Sequence, residues 1–178
     1  MNKKRISIHL ATKDRHSEVA LCLQSLMFQT YQNWDLILID DASGNPLTNH
    51  YATVCLINKI KLDGHKVKII RNDFSVGICR VRNQLIENDS FNNEYTFRVD
   101  DDCVYISTYI EKLLNVITVG YDIATGVVPL IQHPEHSRQI NFVKPIICLH
   151  KLDDKGNLVT RNDDLGFTYI ENEILPCH

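Results

Sequence analysis

Tyr95-Thr96-Phe97-Arg98-Val99-Asp100-Asp101-Asp102 is a short apolar run that ends in three successive carboxylates. Three adjacent like charges repel one another, so a folded chain holds them best where water or a bound cation neutralises them. Within an α/β pattern, a strand ending this way sets its carboxylates at the C-terminal edge of the sheet, where ligands of open α/β sheets bind. Taken alone, the cluster reads equally well as a solvated acidic turn. Its neighbours along the chain decide between the two.

Upstream, Ile6-Ser7-Ile8-His9-Leu10-Ala11 reads as a buried strand, followed by the polar turn Thr12-Lys13-Asp14-Arg15. Val19, Leu23, Leu26 and Met27 then fall on one face of a helix. Leu36-Ile37-Leu38-Ile39 is a second buried strand, stopped by the turn signal Asp40-Asp41-Ala42-Ser43-Gly44-Asn45-Pro46. Val54, Ile57 and Ile60 predict a helix and Val67-Lys68-Ile69-Ile70 a third strand, and Ser75 is placed to cap a helix carrying Ile78, Val81, Leu85 and Ile86. Residues 94–99 form the fourth strand. Ile110, Leu113, Leu114 and Ile117 mark a further helix, and residues 121–128 a fifth strand. Strands alternating with helices predict a mostly parallel, doubly wound α/β sheet. Beyond residue 128 the pattern weakens to a short mixed β extension. Residues 140–149 are apolar enough for one or two strands, and Asp153-Asp154-Lys155-Gly156-Asn157 is a hairpin turn leading to Leu158-Val159-Thr160.

The length of 178 residues fits a single domain over 1–178. The net charge of −3 gives no basic surface for nucleic acid, and no apolar run has the length of a membrane span. The six cysteines are scattered without a C-x-x-C pair, which predicts reduced thiols in a cytoplasmic protein and no zinc site. His133 and His136 flank Pro134 and read as loop residues.

Two acidic clusters, Asp40-Asp41 and Asp100-Asp101-Asp102, thus stand on the same sheet edge as the loop from Thr12 to Arg15. Such carboxylates can accept from a base or ribose hydroxyl, and oxygen-only ligands favour Mg²⁺ or Mn²⁺ with positions left for phosphate oxygens. Arg82, on the helix after Gly77, is placed to pair with phosphate. Each residue also has a plainer role open to it: Asp40 and Asp41 as turn caps, Asp14 as a helix N-cap, Thr12 as a strand-end hydroxyl, Arg82 as a surface residue. Convergence on one edge favours the binding role.

The order of these segments resembles the family 2 glycosyltransferases, which have the GT-A fold. Residues 6–15 look like that family's opening strand and loop. Leu23-Gln24-Ser25-Leu26-Met27-Phe28-Gln29-Thr30-Tyr31-Gln32-Asn33-Trp34 is similar to its helix-to-strand segment, and Leu38-Ile39-Asp40-Asp41-Ala42-Ser43 to its nucleotide-binding turn. Val76-Gly77-Ile78-Cys79-Arg80-Val81-Arg82-Asn83 resembles its Gly-to-Arg-Asn helix, and Phe97-Arg98-Val99-Asp100-Asp101-Asp102 falls where the family carries an Asp-x-Asp metal motif. The resemblance spans residues 5–128. It implies that Thr12 and Asp40 contact the nucleotide base with Asp41 beside them, that Asp100 sits near ribose and metal, and that Asp102 coordinates the cation. Arg82 would help hold the donor, and Asp101 occupies the variable middle position of the donor-binding motif. The implied reaction is metal-dependent transfer of a sugar, usually with inversion, from a nucleotide-diphosphate sugar, commonly a uridine one, to an acceptor hydroxyl.

Departures from the family pattern shape the expectation. Lys13 stands where an aromatic residue often stacks on the base, and Ala11 replaces a frequent proline. The family's catalytic base lies well downstream of the metal motif, and Asp163, Asp164, Glu171 and Glu173 form no convincing version of that segment. The catalytic residue is therefore unassigned, and the chain reads as the donor-binding part of such an enzyme, ended before the acceptor part and completed by a further segment or a partner chain. The alternative is a non-catalytic nucleotide-sugar-binding domain. A sugar nucleotidyltransferase would need a glycine-rich loop after the first strand, which residues 11–15 lack.

Overall fold

Two strands carry the centre of the fold. β1 (Ile6–Thr12), which carries Ser7 and His9 among its apolar residues, and β2 (Trp34–Asp40), a nearly unbroken apolar run, are buried along almost their whole length. That pattern belongs to parallel strands covered on both faces. A computed structural model of the chain describes residues 4–117, 122–125 and 148–159. It divides into two compact units, Met1–Ser107 and Thr108–His178, within the span expected to form one domain.

In the first unit the chain runs from β1 through α1 (His16–Met27) to β2. It continues through α2 (Tyr51–Leu62) to β3 (Val67–Arg71), and through α3 (Ile78–Glu87) to β4 (Tyr95–Asp100). The four strands are parallel, in the order β3-β2-β1-β4. The chain thus steps outward from β1 to β3, then returns to the other side of β1. This reversal is the topological switch point, and the crevice at the carboxyl ends of β1 and β4 is the default ligand site of such a sheet. Register sets the level of the ends: Thr12 pairs with Asp40 and Ala11 with Asp100. Val19, Cys22, Leu23 and Leu26 are the buried face of α1. Val81 and Leu85 of α3 pack on Ile37 and Ile39 of β2.

The start of α3 differs from expectation. Ser75 does not cap it; the helix begins after Gly77, whose φ of 86° and ψ of 155° lie in a region open to glycine. Asp14 is likewise not the N-cap of α1. That position is Arg15, and Asp14 Oδ1 instead accepts from the Gly44 N–H at 2.6 Å.

The second unit contains α4 (Tyr109–Ile117), with Ile110, Leu113 and Val116 buried. It also contains β5 (Ile123–Thr125), β6 (Cys148–Leu152) and β7 (Leu158–Val159), in the antiparallel order β5-β6-β7. β5 therefore belongs, among the described residues, to the mixed extension and not to the parallel sheet. The predicted hairpin turn joins β6 to β7: Asp153 Oδ1 accepts from the Lys155 and Asn157 N–H groups, and Gly156 takes a φ of 79°. His133, His136, Asp163, Asp164, Glu171 and Glu173 lie outside the described residues.

One carboxylate sits inside the sheet. Asp35 of β2 is fully buried, and Arg5 grips it with two bonds of 2.7 Å while the Lys66 N–H and Asn93 complete its acceptors. Burial pushes its carboxyl up, but these donors outweigh that and hold it below the usual range. Arg5→Ala strands a buried charge and is expected to cost about 2–4 kcal/mol in urea unfolding. Lys59→Ala, which breaks an exposed i,i+4 pair with Asp63, should cost about 0.5 kcal/mol or less. Equal losses would contradict this account of Asp35.

Candidate functional site

A cavity of about 510 Å³ opens at the switch point. Thr12, Lys13 and Arg15 reach it from the β1–α1 turn, Asp41 from the turn after β2, and Ser75, Gly77 and Arg82 from the start of α3. Arg98, Asp100, Asp101 and Asp102 line it from β4 and the turn beyond. The two acidic clusters and Arg82 therefore do meet at one sheet edge, with one exception: Asp40 does not line the cavity.

The three aspartates after β4 part company. Asp101 turns inward, 8% exposed, and accepts from Thr12 Oγ1 at 2.8 Å and Arg15 Nη1 at 3.0 Å. Asp102 is half exposed and meets the same Arg15 Nη1 at 2.7 Å. Asp100, also half exposed, lies 3.4 Å from Arg82 Nη2 and 3.9 Å from Arg98 Nη2. Beneath the turn, the Cys22 thiol donates to the Asp100 carbonyl at 3.6 Å and the Tyr105 hydroxyl accepts from the Asp100 N–H at 3.3 Å. Burial pushes both the Cys22 thiol and the Tyr105 phenol up, so both stay neutral supports.

Asp40 and Asp41 have different jobs. Asp40, 1% exposed, accepts from the Ser43 and Leu47 N–H groups at 2.9 and 3.1 Å and from Arg71 Nη1 at 2.6 Å. A carboxylate offers about four acceptor sites, so most of Asp40's capacity is taken by its own turn and by Arg71, where the sequence pointed to a base contact. The plainer capping role describes its geometry.

Asp41 ties the β2 turn to the start of α3. Its oxygens accept from Asn72 Nδ2 (2.8 Å), Ser75 Oγ (2.7 Å) and the N–H groups of Val76 and Gly77 (3.0 and 3.1 Å). Burial works to raise its carboxyl, yet the Asn72, Val76, Ser75 and Gly77 donors outweigh it and hold it at about 2.

The site's fit to a divalent cation follows from its donor set. Among the described residues, no three acidic, histidine or cysteine side chains gather as a ready-made metal cage. Mg²⁺, however, is commonly bound by one or two carboxylates plus substrate phosphates and water. Asp100 and Asp102, half exposed at the cavity edge and held mainly by arginines, suit that mode. Asp101, turned onto Thr12, suits a supporting one.

The sequence assigns no site role to Arg15 or Arg98, and gives Ser75 only a helix-capping one. Arg15 had a signal, since it shares the loop of Thr12. Its contact with Asp101 spans 86 positions, which no local pattern reveals.

A parallel sheet of order 3-2-1-4 with carboxylates and arginines at its switch point defines an α/β domain with a charged cavity at the edge where ligands of such sheets bind. Residues 7–173 match the sequence profile of glycosyl transferase family 2, and the chain belongs to that family. It is 32% identical over 163 residues to the putative colanic acid biosynthesis glycosyl transferase WcaA of Escherichia coli (strain K12), covering 82% of this chain and 55% of that protein. It is 28% identical over 102 residues to the bifunctional glycosyltransferase pgtA of Dictyostelium discoideum, covering 57% of this chain and 13% of that one. The chain thus spans about half the length of the first relative and far less of the second. Among solved structures, S. aureus TarS 1-349 in complex with UDP-GlcNAc superposes with a TM-score of 0.53 at 17% identity, over 65% of this chain and 31% of that one. That likeness establishes a shared GT-A-type fold.

A pH measurement tests the role of Asp41. Its folded value of about 2 lies below the ordinary ~3.9, so its contribution to stability is complete above about pH 4 and fades as pH falls through 2. Asp41→Asn should be less stable by about 2 kcal/mol at neutral pH. In urea unfolding the gap to wild type should close between pH 4 and 2. A gap independent of pH would show that the carboxylate's charge does not carry the link.

Proposed function

We propose that this chain is the donor-binding domain of a glycosyltransferase that moves a sugar from a nucleotide-diphosphate sugar to an acceptor hydroxyl. The observation that carries the reading is the switch-point cavity, where Thr12, Asp41, Arg82 and the three aspartates after β4 line one space in a family 2 chain. Thr12 and Asp41 then face the base side, with Asp40 acting through the turn it holds. Asp100 serves the ribose and metal, and Asp101 buttresses the site through Thr12. A uridine nucleotide fits best, since the fold relative TarS is solved in complex with UDP and with UDP-GlcNAc.

Asp100 and Asp102 would hold a divalent cation, Mn²⁺ or Mg²⁺. When bound, such an ion neutralises charge that develops on the departing diphosphate. Arg82 supplies a second positive group on the same side, and a fixed guanidinium stabilises phosphate charge without reorganising as that charge grows. The transfer is inverting, with a carboxylate taking the acceptor proton. Among the described residues every carboxylate lining the cavity is engaged by arginines or hydrogen-bond donors, so the base is assigned to none of them. The free thiols of Cys22, Cys55, Cys79 and Cys103 suit a cytoplasmic, reducing setting. No described helix is long and apolar enough to cross a membrane.

A second reading, a binding domain without turnover, draws on that same lack of an assigned base. A donor-hydrolysis and transfer assay with Mn²⁺ separates the two, because sugar transfer by this chain alone removes the second. For the site itself, Asp102→Ala should leave the circular dichroism spectrum unchanged and reduce calorimetric affinity for UDP in the presence of Mn²⁺ at least tenfold, as expected when a charged partner is lost. Unchanged affinity would remove Asp102 from the site.

A further inference from the structure

Arg15 presents a single nitrogen to two carboxylates. Nη1 lies 3.0 Å from Asp101 Oδ1 and 2.7 Å from Asp102 Oδ2, bridging successive residues as a small cation would. Its backbone is pinned. The preceding Asp14 N–H donates to Ser43 Oγ at 2.8 Å, Asp14 accepts from Gly44, and the Arg15 carbonyl accepts the Val19 N–H at 3.0 Å. Its side chain is about half exposed (49%), so the guanidinium can swing while its Cα stays fixed.

The two carboxylates are not held alike. Asp101 is buried and tied independently to Thr12, so it stays put if Arg15 leaves. Asp102 is 52% exposed, and apart from a 3.9 Å contact with the Cys103 thiol its recorded partner is Arg15. A solvent-exposed ion pair is weak and readily exchanged.

We propose that Arg15 is a placeholder for the divalent cation. In the metal-free protein its guanidinium neutralises Asp101 and Asp102 and keeps the turn after β4 from splaying under its own repulsion. A divalent cation taken up by Asp102 displaces Arg15, and the released guanidinium becomes available to the diphosphate of the donor. Arg15 is thus a positioning residue that couples cation entry to donor entry. The inference rests on the metal role given to Asp102 above.

The coupling has a measurable sign. Removing Arg15 takes away a competitor for Asp102, so the cation alone should bind more tightly. It also takes away a phosphate partner, so the nucleotide should bind more weakly once the cation is present. A residue that only braces the fold would weaken both.

Calorimetric titration of the full chain with Mn²⁺ alone, and with UDP at saturating Mn²⁺, reads both quantities. Arg15→Gln should bind Mn²⁺ roughly three- to tenfold more tightly than wild type and UDP weaker by a similar factor. Arg15→Lys, which keeps the charge without the planar fork, should fall between them. Circular dichroism of both variants checks the fold. Folded Arg15→Gln with unchanged or weaker Mn²⁺ affinity overturns the proposal. Asp102→Asn separates this failure from that of the site. If wild type binds Mn²⁺ and Asp102→Asn does not, only the Arg15 inference falls; if neither binds it, with or without UDP, both fall.

Discussion

The register of β1 between two parallel neighbours is the constraint on which the rest of this structure depends. Pairing Thr12 with Asp40 and Ala11 with Asp100 brings three strand ends, drawn from residues 12, 40 and 100, to one level. Side chains alternate across a strand, so a slip of one residue in either ladder would exchange the side chains packed on the two faces of a central strand. With β1 and β2 buried on both faces, such a slip is strongly disfavoured. The site's geometry is therefore inherited from core packing, and the turns only elaborate it.

Carboxylates gathered at that edge have to be neutralised where they stand, and the fold does this at three depths. Asp35, inside the sheet, has a bidentate arginine and a backbone donor. Asp40 and Asp41, at the rim, are satisfied largely by turn N–H groups, so charge there organises backbone. Asp100 and Asp102, furthest out and half exposed, are met mainly by arginines. Stability falls to the inner groups, and exchangeable partners are left to the outer ones. This gradient explains why neighbouring aspartates in one motif can differ so much in role.

Much of this was legible in the chain. Strands β1 to β4 and helices α1 to α3 followed from apolar periodicity, because buried parallel strands and amphipathic helices leave a local pattern. The edge location of Thr12, Asp41, Arg82 and Asp100 to Asp102 followed from the rule that strand ends share an edge. What sequence did not supply was the pairing within the site. That Asp40 is consumed by Ser43, Leu47 and Arg71, or that Ser75 serves Asp41 and not the end of α3, depends on side-chain direction at turns. Arg15 and Asp101 meet only because β1 and β4 are adjacent, a long-range fact with no local sign. Among the described residues β5 pairs with β6 and not with the parallel sheet, and a short apolar run does not announce which sheet it joins.

The charge balance of the cavity shows how such a site can exist both empty and loaded. Lys13, Arg15, Arg82 and Arg98 face Asp41, Asp100, Asp101 and Asp102, so cations and anions are matched before any ligand arrives. A diphosphate and a divalent cation bring charges of opposite sign that nearly cancel. Loading then exchanges partners within a neutral set instead of adding net charge to a confined space. On the proposed reading, carboxylates would pass from guanidinium to metal and guanidiniums from carboxylate to phosphate, with each group keeping a partner. An edge built from acids alone would bind the cation but repel the diphosphate, and one built from arginines alone would do the reverse. The mixture of both signs is what would let one edge receive the proposed pair of ligands.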